Sequence, residues 1–260
     1  MTTSLLNSLL RALLRWGAAL VFCLPLRHRS HFWARACGML FPLLLLAQLL
    51  DPLAQSTTLW QQQLLLLVLY ISFFALLGGM IYLCTDINKK GAMYCAVWSL
   101  LIAQCAYEGW CFLELQFARY GRPLNMASPW AVLVQLLSGA VFFAAVYLLL
   151  ARQLPYKGEY HIGPRQLFSA FFIGILFMVQ AAVLDNFRAE QFPRSVIATI
   201  LIGQFYFITL LYFQSELFKK SAMEKEMNAL NLLYERQRQQ YQVARQNVQI
   251  INKRCHELKV

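Results

Sequence analysis

Long apolar stretches alternate with short polar or turn-forming segments through most of this chain. Six stretches approach the roughly 20 helical residues needed to cross a hydrocarbon core of about 30 Å. They cover residues 36–53, 61–84, 92–117, 130–151, 166–187 and 195–217. The breaks carry turn residues, as at Asp51-Pro52 and Phe192-Pro193. The pattern predicts an all-α fold, a polytopic helical membrane bundle.

Residues 4–26 form a further apolar segment, in which Arg11 and Arg15 lie four residues apart on one helix face. The segment is long enough to span, with the N-terminus outside, or it forms a helix lying on the inner leaflet. It resembles a secretory signal peptide, but Arg27, His28 and Arg29 follow where small cleavage-site residues are expected. We therefore expect it to be retained, giving six or seven spans.

The pattern changes after residue 217, where a polar segment with a heptad repeat begins. Its seam positions alternate steps of four and three residues: Met223, Met227, Leu230, Tyr234, Gln237, Tyr241, Ala244, Val248, Ile251, Cys255 and Leu258. Five heptads predict a coiled coil. A second apolar row at Val243 and Ile250 favours a wider, four-helix dimerisation bundle whose second helix lies outside this chain. We thus predict a transmembrane domain at 1–217 and a coiled-coil helix at 218–260.

Composition and charge support this division. The chain is 59% hydrophobic and 13% charged, with a net charge of +11. Nucleic acid is not the predicted partner, because the basic residues form short clusters between spans. Clusters containing Arg27, Lys89, Arg152 and Lys219 alternate with less basic loops, as the positive-inside rule requires. We expect a multi-pass protein of the cell membrane, in contact with lipid, with the C-terminal helix in the cytoplasm.

His256 and Glu257 are the candidate chemistry-bearing residues of the tail. His256 follows the seam position Cys255, so it faces away from the seam. A phosphoacceptor histidine needs that exposure, and Glu257 can act as a general base that accepts the imidazole proton. The zinc-protease motif that begins with His-Glu needs a second histidine at position 260, which is Val260. No metal site is predicted.

The end of the tail resembles a known family. The stretch from Asn247 to Lys259, and above all Cys255-His256-Glu257-Leu258-Lys259, looks like the phosphoacceptor box of GHKL-type sensor histidine kinases related to Agr quorum-sensing receptors. In that family the box reads roughly Cys-His-Asp-Leu-Lys-His-Gln, so Glu257 is a conservative replacement and Val260 is a departure. The membrane half is similar in style at His31-Phe32-Trp33, Tyr82 to Asp86 and Tyr107-Glu108.

The resemblance implies a homodimer, formed here through residues 223–258. Each subunit binds an extracellular signal, often a short peptide, and His256 is phosphorylated and passes the phosphate to a response regulator. The family's ATP-binding catalytic domain is not among these residues. ATP and Mg²⁺ are therefore expected only with that missing domain, and we expect the chain to be truncated after the phosphoacceptor helix.

Polar residues in the spans concentrate toward the predicted outer half. Among them Glu108, Asp185, Gln104 and Gln180 are the candidates for signal binding. Intramembrane carboxylates are costly and by default indicate a functional cavity, which we expect to open outward and to contain Glu108 and Asp185. The alternative is that these groups hold helices together through hydrogen bonds.

Two other functions remain open. A non-catalytic receptor fragment would heterodimerise through the coil with a full-length kinase and damp or support its output. A small membrane transporter is the other alternative, although the sequence has no inverted repeat and no pair of spans broken by glycine or proline.

Overall fold

A computed structural model describes residues 2–55, 59–119, 129–153, 163–187 and 194–257; side chains within 181–201 and 252–257, among others, lie outside the described residues. The helices are α1 (Thr2–Cys23), α2 (Phe32–Gly38), α3 (Leu40–Gln55), α4 (Leu59–Cys84), α5 (Lys89–Arg119), α6 (Pro129–Leu149), α7 (Pro164–Phe187) and α8 (Arg194–Glu257), with a 3₁₀ turn at Ala151–Gln153. The only β pairing in these ranges is an isolated bridge between His28 and Thr85. The predicted all-α class is confirmed.

Local sequence signals explain where several helices begin. Pro129 and Pro164 are the first residues of α6 and α7, where a missing backbone N–H costs nothing and the fixed φ of proline suits the helix. Asn88 precedes α5, and its Oδ1 accepts a hydrogen bond of 2.7 Å from the N–H of Gly91. That side-chain bond caps the first turn of the helix.

The predicted span 36–53 is interrupted near its start. Helix α2 ends at Gly38, Met39 lies between the helices, and α3 begins at Leu40. Pro42 explains the break, because it has no N–H to donate to the carbonyl of Gly38 and so cannot continue the hydrogen-bond ladder of α2. The apolar run is therefore divided between two helices.

Helix α1 lies inside the bundle. It contacts α3, α4, α5 and α6, while α7 contacts α4 and α5. Small side chains on α1, including Ala12, Ala18 and Ala19, are fully buried and let neighbouring backbones approach closely. Trp16 of α1 donates a hydrogen bond of 2.7 Å from Nε1 to the carbonyl of Ala36 in α2. The first apolar segment is thus part of the core.

Four segments of the described chain are long and apolar enough to cross a membrane. They are Phe32–Leu49, which runs through α2 into α3, Leu64–Cys84, Lys89–Glu114 and Pro129–Leu149; Pro164–Gln180, the part of α7 whose side chains are described, is a shorter apolar segment. Large apolar side chains are exposed on the outward faces of α6 and α7, for example Val141 and Phe168. A surface of this kind needs an apolar environment.

The chain divides into two compact units, Met1–Tyr212 and Phe213–Val260, whereas the sequence division was placed after residue 217. Within the second unit, every described side chain from Met223 to Ile251 is exposed. Between Met223 and Ile251, the apolar seam of the heptads is therefore uncovered in the single chain.

Candidate functional site

A group of polar side chains is gathered between α1, α4 and α5. We call it the polar cluster; its members are Arg11, Arg15, Tyr70, Gln104, Tyr107 and Glu108. Gln104 and Glu108 are 4% and 1% exposed, although neither is apolar. Because burying such groups is unfavourable unless they find partners, their contacts show how the sequence stabilises them.

Gln104 lies at the centre of the hydrogen bonds in this cluster. Its Nε2 donates to Glu108 Oε1 at 2.9 Å, one helical turn along α5. Its Oε1 accepts a longer bond, 3.4 Å, from the hydroxyl of Tyr70 on α4. The amide thus links a phenol of one helix to a carboxylate of the next, and the spacing of four residues puts Gln104 and Glu108 on the same helix face.

Two arginines of α1 complete the cluster. Arg11 Nη2 donates to the hydroxyl of Tyr107 at 2.7 Å, and its guanidinium carbon lies 4.8 Å from the centroid of the Tyr107 ring. The guanidinium carbon of Arg15, which is 7% exposed, lies 3.8 Å from the centroid of Phe73. Cation–π contacts of this kind are stronger away from water, so they help to stabilise the buried guanidinium of Arg15 and the partly exposed one of Arg11.

The cluster encloses a small cavity. Its volume, taken as the space open to the centre of a water molecule, is ≈ 20 Å³. A space of this kind admits at least one water molecule. Its polar wall consists of Arg11, Arg15, Tyr70, Gln104 and Tyr107, and Leu14 and Ala103 complete it. Arg11 and Tyr107 are partly exposed, whereas the other three polar residues are buried.

A second polar contact joins α5 to α8 close to the cluster. The thiol of Cys105 donates to Oε1 of Gln204 at 3.7 Å, and Gln204 is 1% exposed. One residue earlier, Gly203 lies against Gln180 of α7, so closely that a Cβ added there would be 2.6 Å from Gln180 Nε2. Adjacent residues of α5 therefore contact α4 through Gln104 and α8 through Cys105.

The predicted signal-binding residues do not all lie in the polar cluster. Gln104 and Glu108 meet in the polar cluster, and Gln180 lies at the α7–α8 contact. Asp185 belongs to α7, but its side chain lies outside the described residues. Its predicted place beside Glu108 stays a prediction.

The arginines of α1 were not among the candidates from sequence. Their spacing of four residues bears on whether the segment spans the membrane or lies on it. Two basic residues on one face of an otherwise apolar helix are also the sequence signal for a polar site in the bundle interior.

His256 and Glu257 lie in the last turn of α8, which ends at Glu257. Their side chains are outside the described residues. Among the residues that the structure describes, no group of three or more His, Cys, Asp or Glu side chains is arranged to hold a metal ion.

Paired contacts also organise the opposite end of α1. The N–H of Asp86 donates to the carbonyl of Arg27 at 2.8 Å, and the N–H of Arg29 donates to the carbonyl of Cys84 at 3.0 Å. An ion pair of 3.6 Å joins Arg29 to Asp86. The loop after α1 is thus fixed to the end of α4, beside the first residues of α5.

Comparison with known proteins finds no matching family model, no similar curated protein and no similar solved structure.

Proposed function

We propose that this chain is the membrane sensor portion of a two-component histidine kinase of the GHKL type. It senses an extracellular peptide and transmits that signal through a dimeric coiled coil to the phosphoacceptor His256. One observation carries the proposal: the single helix α8, Arg194–Glu257, contains both the last apolar segment and the His256-Glu257 pair. A helix shared in this way is a physical link between a membrane bundle and a phosphoacceptor.

The contacts at the end of α1 support the proposed orientation. They bring the loop containing Arg27 and Arg29 to the end of α4, next to Lys89 and Lys90 at the start of α5. Basic residues from two loops therefore collect at one end of the bundle, which the positive-inside rule assigns to the cytoplasm. The packing of α1 against four helices supports a seventh span in preference to an interfacial helix.

The polar cluster is the proposed sensor. Occupation of its cavity would change the positions of Gln104 and its neighbour Cys105 on α5. Because Cys105 contacts Gln204, that change reaches α8 directly. Ligand binding then favours one of two arrangements of α8, and the coil carries the difference to His256.

The chemistry at the end of α8 follows from the heptads. In the heptad register Cys255 is a seam position, so we expect His256 to project away from the dimer seam, where an ATP-binding domain and a response regulator can reach it. Nitrogen attack on the γ-phosphate needs a neutral imidazole, and the carboxylate of the adjacent Glu257 would accept the ring proton or orient the ring.

A phosphotransfer assay tests this proposal. The full chain is reconstituted in nanodiscs with a soluble ATP-binding domain of a GHKL kinase and labelled ATP. We expect an acid-labile label on the chain that is absent from His256→Gln and unchanged in His28→Gln, which alters a histidine outside the tail. Glu257→Gln should slow labelling by roughly 10²-fold, the lower range for loss of a general base.

The donor domain is checked in parallel on the phosphoacceptor helix of its own kinase. Label that survives in His256→Gln would contradict the proposed acceptor. A donor that labels its own helix but not this chain would contradict the proposal as a whole.

A further inference from the structure

Basic side chains collect where the loop after α1 meets the turn between α4 and α5. We call this region the basic surface; it consists of Arg27, Arg29, Arg35, Lys89 and Lys90. All are exposed except Arg29, which is half-buried and forms the ion pair with Asp86. Asp86 is the single acidic residue within 27–35 and 83–90. Among the residues that the structure describes, none forms an ion pair with the other four, so the basic surface has an exposed excess of positive charge.

Hydrogen bonds hold the basic surface together. The backbone of 27–29 pairs with that of 84–86 through the two bonds described above. Arg35 Nη1 donates to the carbonyl of Leu83 at 2.8 Å, which brings this guanidinium to the same end of α4. A guanidinium has five N–H donors, so one bond to a carbonyl leaves others for an anion. The two lysines are the first residues of α5, directly after this turn.

The basic surface lies where apolar segments begin and end. Leu64–Cys84 ends beside it, and Phe32–Leu49 and Lys89–Glu114 begin there. For a bundle in a membrane, these side chains are therefore at the level of the lipid headgroups. Trp33 of α2 is 61% exposed, and an indole ring prefers this level because it is amphipathic.

An exposed apolar row on α3 begins next to the basic surface. Phe41, Leu45 and Leu49 are exposed and follow one another at intervals of four residues, so they lie on one face of α3. This helix begins at Leu40, close to the end of α2 at Gly38. A ligand that fits both features is an anion with a long apolar chain, whereas a soluble polyanion such as a nucleic acid has no group to place on the row.

We propose that the basic surface binds the headgroup of an anionic phospholipid, whose acyl chains lie along Phe41 and Leu45. The phosphate oxygens accept hydrogen bonds from Arg27 and Arg35, because a guanidinium matches a phosphate in a bidentate contact. The two lysines of α5 add attraction to the same negative charge. A zwitterionic lipid carries a cation beside its phosphate, so it binds less tightly. This lipid site requires neither signal binding nor phosphate transfer.

Arg152 offers a control at the same end of the bundle. A Cβ at Gly139 would contact Leu14, and one at Gly17 would contact Phe143, so α1 and α6 lie side by side and run in the same direction. Arg152 is exposed and follows α6 as the basic surface follows α1. General attraction between a basic bundle end and an anionic membrane predicts that Arg152 matters as much as the arginines of the basic surface. A defined lipid site predicts that it does not.

Native mass spectrometry of the full chain in a neutral detergent measures lipid binding directly. The chain is titrated with phosphatidylglycerol and, separately, with phosphatidylcholine of the same acyl chains. We expect phosphatidylglycerol to bind more tightly. Arg27→Gln and Lys90→Gln should each weaken its binding about fivefold, the worth of one basic side chain near an anionic lipid. Arg152→Gln should bind like the parent chain. All three side chains are exposed, and circular dichroism checks that each variant is folded.

Equal affinity for the two lipids would overturn the proposal, and so would equal losses in Arg27→Gln and Arg152→Gln. Glycerol 3-phosphate, which has the phosphate without the acyl chains, separates a lipid site from a site for soluble phosphates. If it displaces phosphatidylglycerol at an equal concentration, the apolar row contributes nothing and the lipid assignment fails. None of these measurements involves phosphate transfer, so the lipid site and the phosphoacceptor His256 are tested independently.

Discussion

At the scale of single residues, Gln104 is distinguished by serving two polar partners in the bundle interior. We predict that Gln104→Leu lowers the free energy of unfolding by about 1–3 kcal/mol, because a hydrogen bond to the Glu108 carboxylate and one from Tyr70 are lost. The measurement is denaturant unfolding of the purified chain in mixed micelles, followed by circular dichroism.

Gln135 of α6 provides a matched control for that substitution. It is 4% exposed, and its Oε1 has no hydrogen-bond partner in the part of the chain that the structure describes. Gln135→Leu removes a desolvated carbonyl rather than a bonded one, so it should be neutral or stabilising. Equal losses of stability at the two positions would contradict the role given to Gln104.

At the scale of one element, α5 contains two glycines with different surroundings. A Cβ at Gly91 would lie 2.6 Å from Ile87 Cδ1 and 3.1 Å from the capping oxygen of Asn88, whereas one at Gly109 would meet nothing within 4 Å. We predict that Gly91→Ala destabilises by about 1–3 kcal/mol, because Ile87 must shift and the capped first turn is disturbed. Thermal unfolding in micelles measures the loss.

The same substitution at Gly109 should have the opposite effect. Alanine loses less backbone entropy than glycine in a helix, so Gly109→Ala should stabilise by about 0.5–1 kcal/mol. If Gly91→Ala lowers the free energy of unfolding and Gly109→Ala raises it, local packing and not helix propensity sets the outcome at Gly91. Stabilisation in both would show that the start of α5 accommodates a side chain freely.

At the scale of the whole molecule, the helices were predictable and their packing partners were not. Apolar runs near 20 residues are local signals, and so are prolines such as Pro129 and Pro164. The structure has helices at these runs, and the two prolines are the first residues of α6 and α7. The contact between Arg11 and Tyr107 joins positions 96 apart in the chain. No local pattern encodes such a pairing, so the sequence indicated Gln104 and Glu108 as candidates but did not indicate the arginines beside them.

The apolar pattern of the tail predicts a heptad repeat, but it does not identify the partner that covers the seam. The described tail is helical and its seam is exposed in the single chain, which is what a helix that associates with another copy requires. The seam positions Tyr234 and Tyr241 are 69% and 71% exposed, so neither is covered within the single chain.

We therefore predict a parallel homodimer through residues 223–258, tested by oxidative cross-linking in membranes of a variant without native cysteines. Tyr234→Cys lies on the seam, where equivalent Cα atoms of a parallel pair come within the roughly 7 Å that a disulfide allows. Gln239→Cys lies on the opposite face of the same helix and serves as the control. Strong cross-linking of the first variant and little of the second is the expected result. Equal cross-linking would indicate random collision, and the absence of both would contradict a parallel dimer and leave the exposed seam for a different partner.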